Sequence, residues 1–281
     1  MKLINLIKKY WRRRSERKSF EYFLRYGTNS ELKDNINNLP RPDKPILRIL
    51  CNSSNLRHQL EKFDDSADYM VVNFFAIDPA YTQIQPKYYV LADNAFFSSH
   101  RDLFDKINAE TTWPLTLFVS WGDKRQYNDI QTTSYVNILK VNTYPYTGKS
   151  KYRDYCYDHN LAMPPIGNVL NMALYVALCL GYKEIELYGA EHSWIHSMYI
   201  DEQNRLHRND SHFYKESSNR NDIILQHPNG QYTKLHEMLY EYFIVFGTYW
   251  QLREIAERKG VQVYNCTPGS YIDAFDRKTT E

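Results

Sequence analysis

The sequence predicts an α/β fold with a mostly parallel sheet flanked by helices. Two observations carry this. Short apolar runs end repeatedly in polar turns, and amphipathic or apolar stretches of helical length alternate with them in the carboxy-terminal half. With 281 residues and a 43% apolar fraction, the chain is long enough for one large domain with a substantial core.

The first segment stands apart. "MKLINLIKKYWRRRSERKSFEYFLRYG" sets Lys2, Lys8, Lys9, Arg12, Arg13, Arg14, Arg17 and Lys18 around Leu3, Ile4, Ile7, Tyr10 and Trp11. Leu3, Ile7, Tyr10 and Trp11 recur at helical spacing, so residues 1–26 read as a basic amphipathic helix suited to an anionic membrane surface. "NNLPRPDKP" (Asn37 to Pro45) is a proline-rich connector, which places the domain boundary at 1–44 and 45–281.

After Pro45 the strands follow in order: "ILRILCN" from Ile46, "YMVVNFF" from Tyr69, "YYVLADN" from Tyr88, "LTLFVSW" from Leu115 and "VNILKV" from Val136. "NVLNMALYVALCLG" reads as a helix, with Asn168 able to cap its start and Gly181 fitting just past its end. "EIELYG" (Glu184 to Gly189) is the next strand. A long helix from Lys234 to Gly260 and a last strand from Val261 to Thr267 close the domain. Asp201 to Gly230 is polar and poor in aliphatics. It reads as a long loop, part of a lid over about 194–233 that orders over a ligand.

Several function classes are excluded or weakened. The net charge of +2 gives no strong field for nucleic acid. No apolar run of about 18 residues occurs, and no secretory leader is evident, so a cytoplasmic location is expected, peripheral on the inner membrane. Cys51, Cys156, Cys179 and Cys266 are far apart with no CxxC, which argues against zinc on cysteine pairs and for reduced core thiols. His192 and His196 lack the glutamate of HExxH. GxxxxGK[ST], GxGxxG, GxSxG and DxD are absent as well. No metal is expected.

The strand ends share a chemistry. Asn52-Ser53 follows the first strand, Asn73 the second, Asp93-Asn94 the third, Asn142-Thr143 the fifth, and Glu191-His192-Ser193 the sixth. Short hydrogen-bonding side chains recur where an α/β sheet keeps its ligand. They suit a polyhydroxylated or nucleotide ligand that needs many directed bonds. The 25 tyrosines suit polar pockets in the same way.

These residues resemble a known family. "GNVLNMALYVALCLGYKEIELYGAEHSW" (Gly167 to Trp194), "CNSSNL" (Cys51 to Leu56), Asn73, "NDSHFY" (Asn209 to Tyr214) and "NCTPGSYIDAF" (Asn265 to Phe275) resemble blocks of the bacterial sialyltransferases of glycosyltransferase family 42. They also resemble the related pterin-diphosphokinase-like proteins of polysaccharide gene clusters. The resemblance implies a Rossmann-like nucleotide-binding domain with a lid. It implies inverting transfer of a sialic-acid-like or Kdo-like sugar from a CMP donor to a glycan or lipid-linked glycan, with no cofactor required. A homo-oligomer is implied too. By the same analogy Asn52, Asn73 and Asp93 touch the nucleotide, Asn168 helps hold the anionic group, and Tyr199 bonds the leaving phosphate. The family's base histidine falls here at Glu216. The candidate bases are therefore His212, His192 and Glu216, in that order, with Glu191 beside the site. Two alternatives follow from these departures: a Mg²⁺-dependent phosphoryl or phosphate-linked group transferase, and a catalytically degenerate scaffold subunit.

Overall fold

A computed structural model describes residues 2–60, 63–120, 131–210, 221–227 and 229–278. Its centre is an eight-stranded, all-parallel sheet. The strands are β1 (Ile46–Leu50), β2 (Ala67–Val72), β3 (Tyr88–Leu91), β4 (Leu115–Ser120), β5 (Val136–Val141), β6 (Glu184–Tyr188), β10 (Gln262–Asn265) and β11 (Asp276–Arg277). Their order is β11-β10-β6-β1-β2-β3-β4-β5. The chain therefore runs outward from β1 to β5 on one side and from β6 to β11 on the other. The direction reverses between β1 and β6, which pair in register from Ile46↔Glu184 to Leu50↔Tyr188.

Both faces of the sheet are covered, which is why its strands read as near-continuous apolar runs. On one face α5 (Val169–Leu180) and α6 (Leu235–Lys259) pack over Leu47, Ile49, Met70, Val90 and Leu187. On the other, α2 (Ala80–Ile84) and α3 (Arg101–Glu110) cover Leu50, Val71, Tyr89 and Leu117. Asn168 caps α5 by accepting from the Asn171 N–H at 2.9 Å, and Gly181 ends the helix at φ +92°. Ten of the twelve α5 residues are buried, so this helix is the floor between sheet and α6.

Charge inside the sheet is paired. Glu186 on β6 accepts from Arg48 Nε at 2.9 Å, from Lys278 Nζ at 2.6 Å and from the Tyr188 hydroxyl at 3.1 Å. Burial works against its ionisation, but the Lys278 and Arg48 bonds outweigh it and lower the carboxyl pKa.

Helix α1 (Lys2–Tyr26) and a 3₁₀ turn at Ser30–Asp34 precede the sheet. The inner side of α1 sets Phe20 and Phe23 against Tyr146 and against α4 (Ser150–Asp158), with Phe20 stacked on Tyr152 at 4.5 Å.

The polar stretch after Asp201 differs from the loop expected of it. Strands β7 (Met198–Ile200), β8 (Leu206–Asp210) and β9 (Asn221–Ile224) form a separate antiparallel sheet. Its fastening is polar rather than apolar. Asp201 Oδ1 accepts from the Gln203 and Arg205 N–H groups at 3.0 and 2.8 Å in a turn, and buried His207 bridges Asp201 and Asp222 at 2.9 and 3.0 Å.

Candidate active site

The crevice at the carboxyl ends of β1 and β6 lies where the strand order reverses, the place where open α/β sheets bind ligands. Backbone bonds draw the two strand ends together. The Cys51 N–H donates to the Tyr188 carbonyl at 2.9 Å, and the Ser53 N–H donates to that of Gly189 at 3.2 Å. Gly189 sits at φ +66°, and a Cβ there would lie 2.9 Å from the Cys51 oxygen. Only glycine allows this crossing.

The turn after β10 clamps the next residues. Thr267 Oγ1 accepts from the Ala190 N–H at 3.1 Å, Ser270 Oγ donates to the Ala190 carbonyl at 2.6 Å, and the Tyr271 N–H donates to the Glu191 carbonyl at 2.7 Å. Asn265 Nδ2 ties the turn to itself through Ser270 Oγ and the Ile272 carbonyl, both at 3.0 Å. The backbone that carries Glu191 and His192 is thus held on both sides.

Three buried side-chain atoms here have no hydrogen-bond partner among the described residues: Asn52 Oδ1, Ser53 Oγ and Glu191 Oε1. The Asn52 amide orientation is fixed, since its Nδ2 donates to the Val72 carbonyl at 3.2 Å. Such orphans cost about 1–3 kcal/mol each unless a ligand satisfies them. Asn52 Oδ1 and an ionised Glu191 can only accept, so the fitting ligand brings hydroxyl or amino donors. The Cys51 thiol is pushed up by burial and secondarily by the Glu191 charge.

His192 forms the second half of the crevice. It occupies the left-handed region at φ +52°, as Asn73 does at φ +47° at the end of β2. Non-glycine residues held there carry backbone strain that surrounding structure must sustain, and such positions gather at functional sites. The His192 ring stacks on Trp194 at 4.2 Å. Its Nε2 lies 2.7 Å from the Tyr249 hydroxyl and 2.9 Å from Asn168 Nδ2. Because Asn168 Oδ1 is committed to the Asn171 N–H, Nδ2 must be the donor. Nε2 therefore accepts, and the proton of the neutral ring is on Nδ1. Burial pulls the His192 pKa down to about 3, so the ring stays neutral at physiological pH. It can donate through Nδ1 but is a feeble proton acceptor.

The other expected site residues fall as follows. Asn168 is adjacent to His192, with its side chain spent on capping and on the His192–Tyr249 pair. Asn73 is half-buried at the end of β2, and its carbonyl accepts from the Tyr89 hydroxyl. Asp93 is exposed and caps a 3₁₀ turn by accepting from the Ala95 N–H at 2.8 Å, with Asn94 the first residue of that turn. Ser193 begins the turn Trp194–Ser197, and its carbonyl accepts from the His196 N–H at 3.0 Å. Tyr199 lies in the antiparallel sheet. Its hydroxyl donates to Asp222 at 2.7 Å and its ring stacks on His207 at 4.7 Å. His212 and Glu216 lie outside the described residues. No three His, Cys, Asp or Glu side chains gather as a metal ligand set among the described residues.

Sequence reasoning missed Tyr249, Trp194, Thr267 and Ser270. The Thr-Pro-Gly-Ser turn had a signal: it follows a strand at the same end of the sheet as the other polar turns. Tyr249 had none, being one of three tyrosines in a long helix of mixed apolar and charged residues.

Neither a family model nor a curated protein matches the chain. Among solved structures it is similar to the sialyltransferase CST-II in complex with CMP, at 15% identity over 84% of this chain and 86% of that one, with a TM-score of 0.44. CstII from Campylobacter jejuni in complex with the substrate analogue CMP-3FNeuAc gives 14% identity, coverage of 84% and 85%, and a TM-score of 0.43. The alpha-2,3-sialyltransferase from Campylobacter jejuni in apo form gives 11% identity, coverage of 90% and 87%, and a TM-score of 0.41.

Proposed function

We propose that the chain is an inverting glycosyltransferase. It takes a sialic-acid-like or Kdo-like sugar from a CMP donor and passes it to a glycan or lipid-linked glycan in surface polysaccharide synthesis. The observation that carries this reading is the trio of orphaned polar atoms, Asn52 Oδ1, Ser53 Oγ and Glu191 Oε1, at the point of strand reversal. They call for a neutral ligand face rich in donors, as the cytosine amine, the ribose and the sugar hydroxyls supply.

The start of α5 presents its partial positive end beside this crevice, through Asn168, and suits the CMP phosphate. His192 offers Nδ1–H as a neutral donor and orients the donor substrate. In the transfer the acceptor oxygen forms a bond to the anomeric carbon, and the bond from that carbon to the phosphate oxygen breaks. CMP leaves with the electron pair, and a base takes the acceptor proton. We assign that base to His212 first and to Glu216 after it, and pass over His192, the second candidate by sequence, because burial makes its ring a feeble proton acceptor. The sheet β7–β9 and its flanks form the lid over about 194–233.

A thermal-shift screen of CMP, CDP, UDP, GDP and ATP, each with and without Mg²⁺, tests the reading. A ligand at a hundred times its Kd adds about 2.7 kcal/mol, which for a chain of this size raises Tm by roughly 5 °C or more. We expect CMP to do so without metal and UDP, GDP and ATP not to. No response to any cytidine nucleotide sinks the proposal, and a response only with Mg²⁺ transfers it to phosphoryl chemistry. Slow hydrolysis of a CMP-sugar without acceptor, lost in His212→Ala, separates an enzyme from a degenerate scaffold.

A further inference from the structure

Helix α1 has two unlike sides. The inner side is docked: Phe20, Phe23 and Leu24 pack on the core, and Glu16 pairs with Lys149 at 2.6 Å. The opposite side carries Trp11, Arg14, Lys18, Tyr22 and Arg25, spaced three or four residues apart and all exposed. Trp11 is 59% exposed and Tyr22 67%. Residues 10–15 are exposed all round, so this stretch stands clear of the domain on which Phe20, Phe23 and Leu24 pack.

Charge is segregated in the same way. Residues 1–26 hold nine Lys or Arg against two Glu, a net of +7. The whole chain is +2, so the remaining 255 residues carry −5. The aromatic rings are interleaved with the cations: Arg14 lies over Trp11 at 5.6 Å and Arg25 over Tyr26 at 5.4 Å. Rings with polar tips and cations on long stems favour the headgroup layer of a bilayer. Among the described residues no helix is long and apolar enough to cross one.

We propose that this outer face of α1 lies flat on an anionic lipid bilayer. The charge pattern selects a bilayer over other polyanions. A flat anionic surface meets the helix alone, whereas a long flexible polyanion runs off it onto a surface of net negative charge. Cations interleaved with Trp11 and Tyr22 on this face make the contact reversible and salt-dependent. It does not depend on which reaction the crevice performs.

The test is flotation of the full chain with vesicles of phosphatidylcholine alone and of phosphatidylcholine with 30 mol% phosphatidylglycerol. We expect retention on the anionic vesicles at about 0.1 M salt, release at about 0.5 M, and none on the neutral ones. Each cation removed near such a surface lowers partitioning roughly fivefold. Arg14→Glu with Lys18→Glu therefore weakens binding by at least about 25-fold. Trp11→Ala with Tyr22→Ala weakens it as well, which a purely coulombic contact would not show. Both variants alter exposed side chains, and an unchanged Tm verifies that they fold. Absence of retention on anionic vesicles at low salt overturns the proposal, as does equal retention of the charge-reversed variant. Preference for an oligonucleotide over the vesicles overturns it too. So does a fall in mass by light scattering in the charge-reversed variant without lipid, which assigns the face to a second copy.

Discussion

Two glutamates five residues apart show how differently one strand uses the same side chain. Glu186, midway along β6, is 3% exposed and has bonds from Arg48, Lys278 and Tyr188. Glu191, just beyond the same strand, buries Oε1 with no partner among the described residues. A saturated buried carboxylate is part of the scaffold, since its charge is already answered. An unsaturated one is a standing cost that a bound donor group can relieve. The same contrast separates the turn at Asn265–Ile272, whose polar atoms are tied to one another and to Ala190, from Asn52 and Ser53 opposite it.

The contrast breaks if the two carboxylates respond alike to removal. Glu186→Ala leaves Arg48 facing a void and should cost about 3–5 kcal/mol of stability, measured by urea unfolding. A loss under about 1 kcal/mol would show that Asp64, Tyr69 and Ser66 satisfy Arg48 unaided. Glu191→Ala should leave stability unchanged within about 0.5 kcal/mol, or raise it, because an orphan is removed. The same variant should weaken the CMP response tenfold to a hundredfold in Kd by calorimetry, and normal CMP binding would detach Glu191 from the ligand.

His192 sharpens the comparison at smaller scale. Its folded pKa is about 3, below the unfolded value of about 6.5. A depressed pKa gives stability that is present above the unfolded pKa and lost as pH falls toward the folded one. Between pH 6.5 and 3 the His192 contribution should therefore decline by at most about 1.4 kcal/mol per pH unit, with no change from pH 7 to 9. His192→Asn should flatten that slope. Nitrogen chemical shifts should report protonated Nδ1 and bare Nε2 at pH 7 in the native chain, and a shift toward the other tautomer once Tyr249→Phe and Asn168→Ala remove both donors.

Much of the architecture was legible because parallel strands covered on both faces leave unbroken apolar runs. β1, β3, β4, β5, β6 and β10 lie within residues of where those runs place them. Helix α5 was legible through Asn168 and Gly181, whose roles are local. The sheet β7–β9 was not. Its strands carry Asp, Asn, Arg and His, and they hold together through His207 between two carboxylates, an arrangement without period. At the site, Asn52, Ser53, Glu191 and His192 were visible as polar residues after strands. Tyr249 reaches His192 across 57 positions, a pairing that only the packing of α6 over β6 and α5 creates. Tyr199 and Asp93, read for the crevice, bond to Asp222 and to the Ala95 N–H.

The order of strands has a consequence for how the chain is made. β1 pairs with β6 across 138 positions, Ile46 against Glu184. While the ribosome is still adding residues before β6, one edge of β1 is an open row of backbone donors and acceptors, able to recruit any extended segment nearby. The crevice does not exist in that interval, because one wall has not been synthesised and the clamp at Thr267 and Ser270 comes later still. The crevice is therefore complete only once the segment through Ser270 has been made, and truncations that remove that segment should yield insoluble chains.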